Sequence, residues 1–272
     1  MPELPEVETT LRGIEPHILG RRILKIIVRT PSLRWPIPKR QLDQHLCKQK
    51  ILAVERRGKY LLLRTRPGTL ILHLGMSGSL RITSPEILPD KHDQLDILFE
   101  DSIVLRLHDP RRFGAALWTA KDPLKHKLLK DLGPEPLDTE FNPQYLWQAA
   151  RKRKVSIKQF IMDSHNVVGV GNIYASESLF RAGIHPRRAA GKVSLENYTL
   201  LVRAIKTVIK AAIKQGGTTL RDFTGGDGKP GYFQQRLNVY GRKGEPCRKC
   251  AKPISHCVMG QRATYYCTAC QK

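Results

Sequence analysis

The chain has 272 residues, 47 of them Lys or Arg against 24 Asp or Glu, for a formal charge of +23. That length suits two domains and a small appendage, and the charge excess, self-repulsive in a compact fold, implies a polyanionic partner. Nucleic acid is the first candidate and an anionic membrane surface the rival. No run of 18 apolar residues exists, which excludes a helical membrane span, and no helix pattern is basic on one face alone.

The chain opens with MPELPEVE, acidic and proline-rich, without the basic segment and apolar stretch of a secretory signal. A cytosolic setting with reduced thiols is therefore expected. Pro5 followed by Glu6 and Glu8 predicts a helix start, with carboxylates facing the positive end of the dipole. Val7, Leu11 and Ile14 recur at helical spacing, and Pro16 and Gly20 are expected to end the pattern. Short apolar runs of strand type follow: Ile23 to Val28, Ile51 to Val54, Tyr60 to Leu63, Leu70 to Leu74, Leu95 to Phe99 and Ile103 to Leu107. Turn residues such as Pro67-Gly68 and Glu100-Asp101-Ser102 separate several of them, which favours an antiparallel sandwich or barrel.

Gly133-Pro134-Glu135-Pro136 reads as a linker, after which helical patterns dominate. Asn172 follows Gly169-Val170-Gly171 and is expected to open a helix through Phe180; glycines before a helix N-terminus make a phosphate cradle, although the pattern alone is common. The clearest helix begins after Ser194, an N-cap, carries Leu201, Ile205, Val208, Ile209 and Ala212 on one face, and stops at Gly216-Gly217. Thr224 to Phe233 is glycine-rich and reads as a flexible connector. The expected organisation is α+β and multidomain: a sandwich with an N-terminal helix over residues 1–133, a helical domain over 134–237 and a small module over 238–272.

Cys247-Arg-Lys-Cys250 and Cys267-Thr-Ala-Cys270 are two CxxC pairs separated by 16 residues, a spacing that places four thiolates around one tetrahedral zinc. So short a segment has little core of its own, and the metal would supply its folding energy. A disulfide pair or unpaired thiols are the alternative, disfavoured in a cytosolic protein, and His256 and Cys257 inside the loop are competing ligands. The module holds seven basic residues and one acidic residue, Glu245. A basic zinc hairpin suits a duplex clamp, with Arg262 placed either to reach the duplex or to remain a solvated surface charge.

Removal of Met1 would leave Pro2 with a secondary amine. Amines attack carbonyl carbons to form Schiff bases, and a secondary amine gives an iminium with no nitrogen proton to lose, a lasting electron sink. Glu3 beside it suits general acid or base work. A Pro-Glu pair more often simply starts a helix.

The combination decides between these readings. PELPEVETT at the start, RRGKYLLL at 56–63, HLGMSGSLR at 73–81, DPRRFG at 109–114, VVGVGNIYASE at 167–177 and the four-cysteine end occur in this order in one chain. Together they closely resemble the formamidopyrimidine-DNA glycosylase family of bacteria over essentially the whole chain. The resemblance implies a β-sandwich, a helix–two-turn–helix domain that includes a lesion-capping loop, and a zinc-finger β-hairpin carrying one structural Zn2+. It implies base-excision repair by a bifunctional glycosylase and lyase. The enzyme would release 8-oxoguanine and formamidopyrimidines, then cut the strand by β,δ-elimination.

By resemblance, Pro2 is the nucleophile at the sugar C1′, Glu3 protonates the ring oxygen, and Lys59 lies near the lesion and its phosphates. Met76, Arg111 and Phe113 match the family's wedge, which fills the space left by a flipped nucleotide; Arg112 is read as a support of that loop. Lys158, Asn172 and Arg262 match phosphate contacts, and Glu6 matches a carboxylate of the site or a helix cap. The implied partner is double-stranded DNA with oxidised purines or abasic sites, met by a monomer in the bacterial cytoplasm, at the nucleoid while acting. Endonuclease VIII-like excision of oxidised pyrimidines is the sister reading, against which PELPE and the Arg111 to Phe113 segment argue. A non-catalytic zinc protein that binds damaged DNA is the reading a retained Met1 would produce.

Overall fold

The computed structural model describes residues 2–216 and 237–272; the glycine-rich stretch Thr224 to Phe233 lies outside them. By their contacts the residues through Asp131 form one compact unit, and Leu132–Lys214 with the C-terminal segment form another.

The first unit holds helix α1 (Leu4–Ile18), helix α2 (Lys39–Leu46) and strands β1 (Ile23–Val28), β2 (Ala53–Arg57), β3 (Tyr60–Arg64), β4 (Thr69–His73), β5 (Ser79–Thr83), β6 (Asp93–Phe99), β7 (Val104–His108) and β8 (Ala115–Thr119). They make two four-stranded antiparallel sheets, ordered β1-β6-β7-β5 and β2-β3-β4-β8. One continuous core lies between them: Leu61, Leu63, Leu70 and Leu72 from one sheet, Ile26, Leu95, Ile97, Leu105 and Leu107 from the other. α1 adds Val7, Leu11, Ile14 and Ile18, the stripe its 3.6-residue period dictates.

The bounds of α1 and β6 depart from the expectation. Pro16 lies inside α1, which runs on to Ile18 and stops where Leu19 turns extended, before Gly20 at φ 75°. A proline near a helix end sacrifices one backbone hydrogen bond without stopping the chain from finishing its last turn. β6 begins at Asp93, before its apolar run, because Asp93, Gln94 and Asp96 are buried. Each has a partner: Arg81 and His108 for Asp93, Arg29 and Arg106 for Asp96, and the Asp109 carbonyl for Gln94. Arg106, 2% exposed, grips Asp96 through Nε and Nη2, both at 2.9 Å.

The second unit holds helices α3 (Pro143–Ala150), α4 (Ile157–Met162), α5 (Asn172–Ala182) and α6 (Leu195–Lys214), then the hairpin β9 (Ser255–Met259) and β10 (Arg262–Tyr266). Asn142, Ser156 and Ser194 cap α3, α4 and α6 by accepting from Tyr145, Gln159 and Asn197 amides. Gly183 ends α5 in the left-handed conformation at φ 73°. The 133–136 segment is packed rather than loose: the Gly133 amide donates to Ser164 O, and Val168 N donates to Pro134 O. Among the described residues no helix is long and apolar enough to cross a membrane.

Candidate active site and metal centre

The start of α1 is built as a capping box. Glu3 is its N-cap, and the Glu6 carboxylate accepts from the Glu3 amide at 2.8 Å while the Glu3 side chain accepts from the Glu6 amide. Both carboxylates are buried, Glu3 at 3% exposure and Glu6 at 2%, and Pro2 is buried beside them. Glu6 thus caps α1.

Lys59 sits in the turn joining β2 to β3, where Arg57 pairs with Tyr60 and only Gly58 and Lys59 lie between. Gly58 has φ 58°, as the first central position of a tight type II′ hairpin requires. A polar chain links this turn to α1. The Glu8 carboxylate accepts from Arg56 Nε at 2.9 Å, and Arg56 Nη1 donates to the Gly58 carbonyl at 2.9 Å. Burial opposes ionisation of Glu8, but Arg56 and then Arg12 outweigh it and hold its carboxyl below the usual range. The helix that carries Glu3 and the turn that carries Lys59 are thus tied through one carboxylate.

Sequence reasoning passed over His73, at the end of β4 within the HLGMSGSLR motif. Desolvation, then the charges of Lys59 and Arg34, push its pKa down to about 4. Its Nδ1 accepts from the Gly75 amide at 3.0 Å, which puts the ring proton on Nε2, and its ring leans on Tyr60 at 4.8 Å. A neutral donor flanked by two cations is suited to an anion. Its proximity to Lys59 and Arg34 across other strands and loops has no local signal in the sequence.

Met76 lies in the loop between β4 and β5, and Arg111, Arg112 and Phe113 in the loop between β7 and β8. Phe113 is 44% exposed, unusual for a phenyl ring, and the Arg111 guanidinium lies 5.0 Å from its centre. Arg112 takes a left-handed φ of 54°.

In the second unit, Lys158 and Asn172 converge on the hairpin. Lys158 is 1% exposed, and its ammonium donates to the Ala263 carbonyl at 3.0 Å and to Thr264 Oγ1 at 2.7 Å. Asn172 Nδ2 donates to the same carbonyl at 2.9 Å, while its buried Oδ1 finds no hydrogen-bond partner among the described residues. Arg262, exposed, is the residue next to Ala263. The hairpin tip is Gly260-Gln261, at φ 53° and 59°, a type I′ turn that orders Arg262 opposite Met259.

Glu177, further along α5 and 3% exposed, is a second residue that sequence reasoning missed. Its carboxylate accepts from the amides of Asn238, Val239 and Tyr240 and from Asn238 Nδ2, all between 2.9 and 3.0 Å. It fixes the chain just ahead of the cysteine module. With partners about 61 residues away, it looks in sequence like any polar helix position.

The four sulfurs of Cys247, Cys250, Cys267 and Cys270 all lie within 4.8 Å of one another, and neither His256 nor Cys257 belongs to the group. Cys247 and Cys270 Sγ are 3.9 Å apart, Cys250 and Cys267 Sγ 3.5 Å. Zn–S bonds of about 2.3 Å at tetrahedral angles call for sulfurs about 3.8 Å apart. Without a cation, burial and the neighbouring thiols push Cys270 up to about 12; Cys247 falls to about 7, where burial is outweighed by the Lys249 and Cys250 amides. Four thiols this close cannot all ionise unless a cation gathers their charge, and the all-sulfur donor set fits one structural zinc.

The capped N-terminal segment on a β-sandwich, the helical unit and the four-thiol hairpin are the parts of a zinc-finger DNA glycosylase of base-excision repair, as comparison with known proteins shows. The formamidopyrimidine-DNA glycosylase N-terminal domain matches residues 1–116, the H2TH domain of the same enzymes residues 132–224, and the zinc finger found in FPG and IleRS residues 244–272. The chain belongs to the formamidopyrimidine-DNA glycosylase family. It is 59% identical to the formamidopyrimidine-DNA glycosylase of Cellvibrio japonicus and 57% identical to that of Escherichia coli O6:H1, each over 100% of both chains. Among solved structures it is similar to the MutM (Fpg) protein of Thermus thermophilus, at 36% identity and TM-score 0.89, covering 99% of this chain and 98% of that one. It is also similar to the G226P mutant of Lactococcus lactis Fpg in complex with DNA containing Fapy-dG, at 34% identity and TM-score 0.93 over 100% of both chains.

Proposed function

We propose that this protein binds duplex DNA carrying an oxidised purine, excises the base through its N-terminal proline, and then cuts the strand. With Met1 removed, the Pro2 nitrogen attacks C1′ of the damaged nucleotide, and the N-glycosidic bond breaks as the base leaves with its electron pair and takes up the proton that the nitrogen loses. Glu3 delivers a proton to the ring oxygen, the sugar opens, and the nitrogen and C1′ share an iminium. That electron sink acidifies the C2′ proton, whose loss expels the 3′ phosphate by β-elimination; the conjugated iminium then acidifies the C4′ proton, whose loss expels the 5′ phosphate by δ-elimination. Water then releases the enzyme. The observation that carries this reading is the buried pair Pro2 and Glu3 at the head of a capped helix, tied through Glu8 and Arg56 to the Lys59 turn.

Lys59 and Lys158, Asn172 and Arg262 serve the phosphates in this reading. Lys158 and Asn172 both donate to the Ala263 carbonyl, beside Arg262 in the chain, which supports a shared phosphate seat. Met76, Arg111 and Phe113 fill the space the flipped nucleotide leaves, offsetting a few kcal/mol of lost stacking and pairing. Relatives in complex with DNA containing carbocyclic 8-oxo-G and with DNA containing an abasic site support the same substrates here. The zinc is structural and takes no step in the chemistry.

Borohydride trapping on an 8-oxoguanine:cytosine duplex, followed by peptide mass spectrometry, tests the proposal. An adduct on Pro2 is expected. An adduct on a lysine would overturn the nucleophile, and a bound duplex with no adduct, Met1 being absent, would favour a protein that only binds.

A further inference from the structure

The three proposed wedge side chains stand on two loops that meet backbone to backbone. Gly75 has φ +65°, and a Cβ there would lie 2.4 Å from Phe113 C and 2.5 Å from Gly114 N. A Cβ on Gly114 would lie 2.7 Å from the His73 carbonyl oxygen and 2.8 Å from Asp109 Oδ2. No side chain fits such gaps, so the close approach of the two loops depends on both glycines.

Asp109 sits at the root of this contact and is fully buried. Its Oδ2 accepts from the Gly114 amide at 2.7 Å. The amides of Arg111 and Arg112 lie near enough to favour its charge, although Oδ1 makes no hydrogen bond of good geometry among the described residues. Its backbone is held as firmly: its amide donates to His92 O at 2.9 Å, and its carbonyl accepts from Gln94 Nε2 at 3.2 Å and Arg112 N at 3.3 Å. Beyond the arch, Gly114 O accepts from the Arg34 amide at 3.0 Å.

A buried carboxylate is costly, and burial raises the pKa of this one against the pull of the Gly114, Arg111 and Arg112 amides. It touches no solvent and no side chain of the proposed chemistry. What it does touch is the backbone that aims Arg111 and Phe113.

We propose that Asp109 is the positioning residue of the wedge: its carboxylate holds the Arg111–Phe113 arch against the Gly75–Met76 turn, so that Met76, Arg111 and Phe113 enter a duplex as one rigid element. The inference rests on the functional reading above and adds to it the group that sets wedge geometry. A displacement of about 1 Å is enough to cost about 100-fold in a positioned reaction.

The test compares wild type, D109N and G75A, which disturbs the same contact from the other loop with the carboxylate intact. Each is measured on 8-oxoguanine opposite cytosine, on 8-oxoguanine opposite adenine, and on a single-stranded abasic oligonucleotide that needs no wedge. Stopped-flow 2-aminopurine fluorescence beside the lesion reports unstacking. Both variants are expected to lose about 100-fold on the cytosine duplex, with a smaller preference for cytosine over adenine and a slower fluorescence change. Their loss on the single strand is expected to be at least tenfold smaller. Equal losses on all three substrates, or a wild-type cytosine preference and fluorescence trace in D109N, would overturn the positioning role alone. Wild-type protein that releases no 8-oxoguanine would instead bring down the functional reading on which it rests.

Discussion

The β-sandwich and the cysteine module reach order by different means. Twenty-four buried apolar residues form the sandwich cluster, each large side chain contributing about 1.5–3 kcal/mol when fully buried. The cluster at the module contains Phe180, Val239, Cys247, Ile254 and Cys267, so two of its five members are metal ligands and one belongs to α5. In the first region the chain folds because its side chains leave water. In the second, the charge on four thiolates must be gathered before the few apolar groups are worth ordering.

Zinc removal breaks that comparison most sharply. Structural zinc in small fingers binds with an apparent free energy of about 10–16 kcal/mol, so chelation is expected to remove hydrogen-exchange protection across 244–272 and leave β1–β8 protected. Equal loss in both regions would mean the sandwich also depends on the metal. Next in size, Arg106→Met is expected to destabilise the sandwich by about 3–5 kcal/mol, since it strips a buried partner from Asp96. Urea unfolding reads the change, and an effect below about 1 kcal/mol would make the pair dispensable.

Glu177→Gln should cost about 2–3 kcal/mol through weakened hydrogen bonds to 238–240. It sharpens the contrast if amide exchange quickens at 238–240 and not in the sandwich. The last prediction concerns acid. His73 has its pKa lowered in the fold, from 6.5 to about 4. The unfolded chain therefore binds the extra proton first, and the histidine's contribution is present above pH 6.5 and lost as pH falls toward 4. His73→Gln is expected to flatten that limb of a melting-temperature profile, and an unchanged limb would reassign it to carboxylates such as Asp96, whose lowered pKa also makes stability fall in acid.

Legibility in the sequence followed from how local the physics was. β1 spans the residues its apolar run indicated, and α6 follows its capping serine and apolar stripe. The zinc ligands were readable because metal spacing is local within each CxxC pair. α2 was not seen, since KRQLDQHL offers only Leu42 and Leu46 to the core. β8 was missed as a short AALWT segment whose strand character comes from pairing with β4. His73, Asp109 and Glu177 escaped for one reason: their surroundings are backbone amides and charges brought from elsewhere. A polar residue that is buried only after folding carries no sign of it beforehand.

The grip of Glu177 on Asn238, Val239 and Tyr240 bears on the module as an exchangeable part. The zinc-finger family begins its match at residue 244, beyond those three amides. A graft cut between 237 and 238 would carry the three amides away from the carboxylate that holds them. A graft cut after Tyr240 would leave the clasp with the host helix and transplant only the metal-ordered hairpin. The natural seam of the module therefore lies a few residues past Asn238, where the sequence reading begins it.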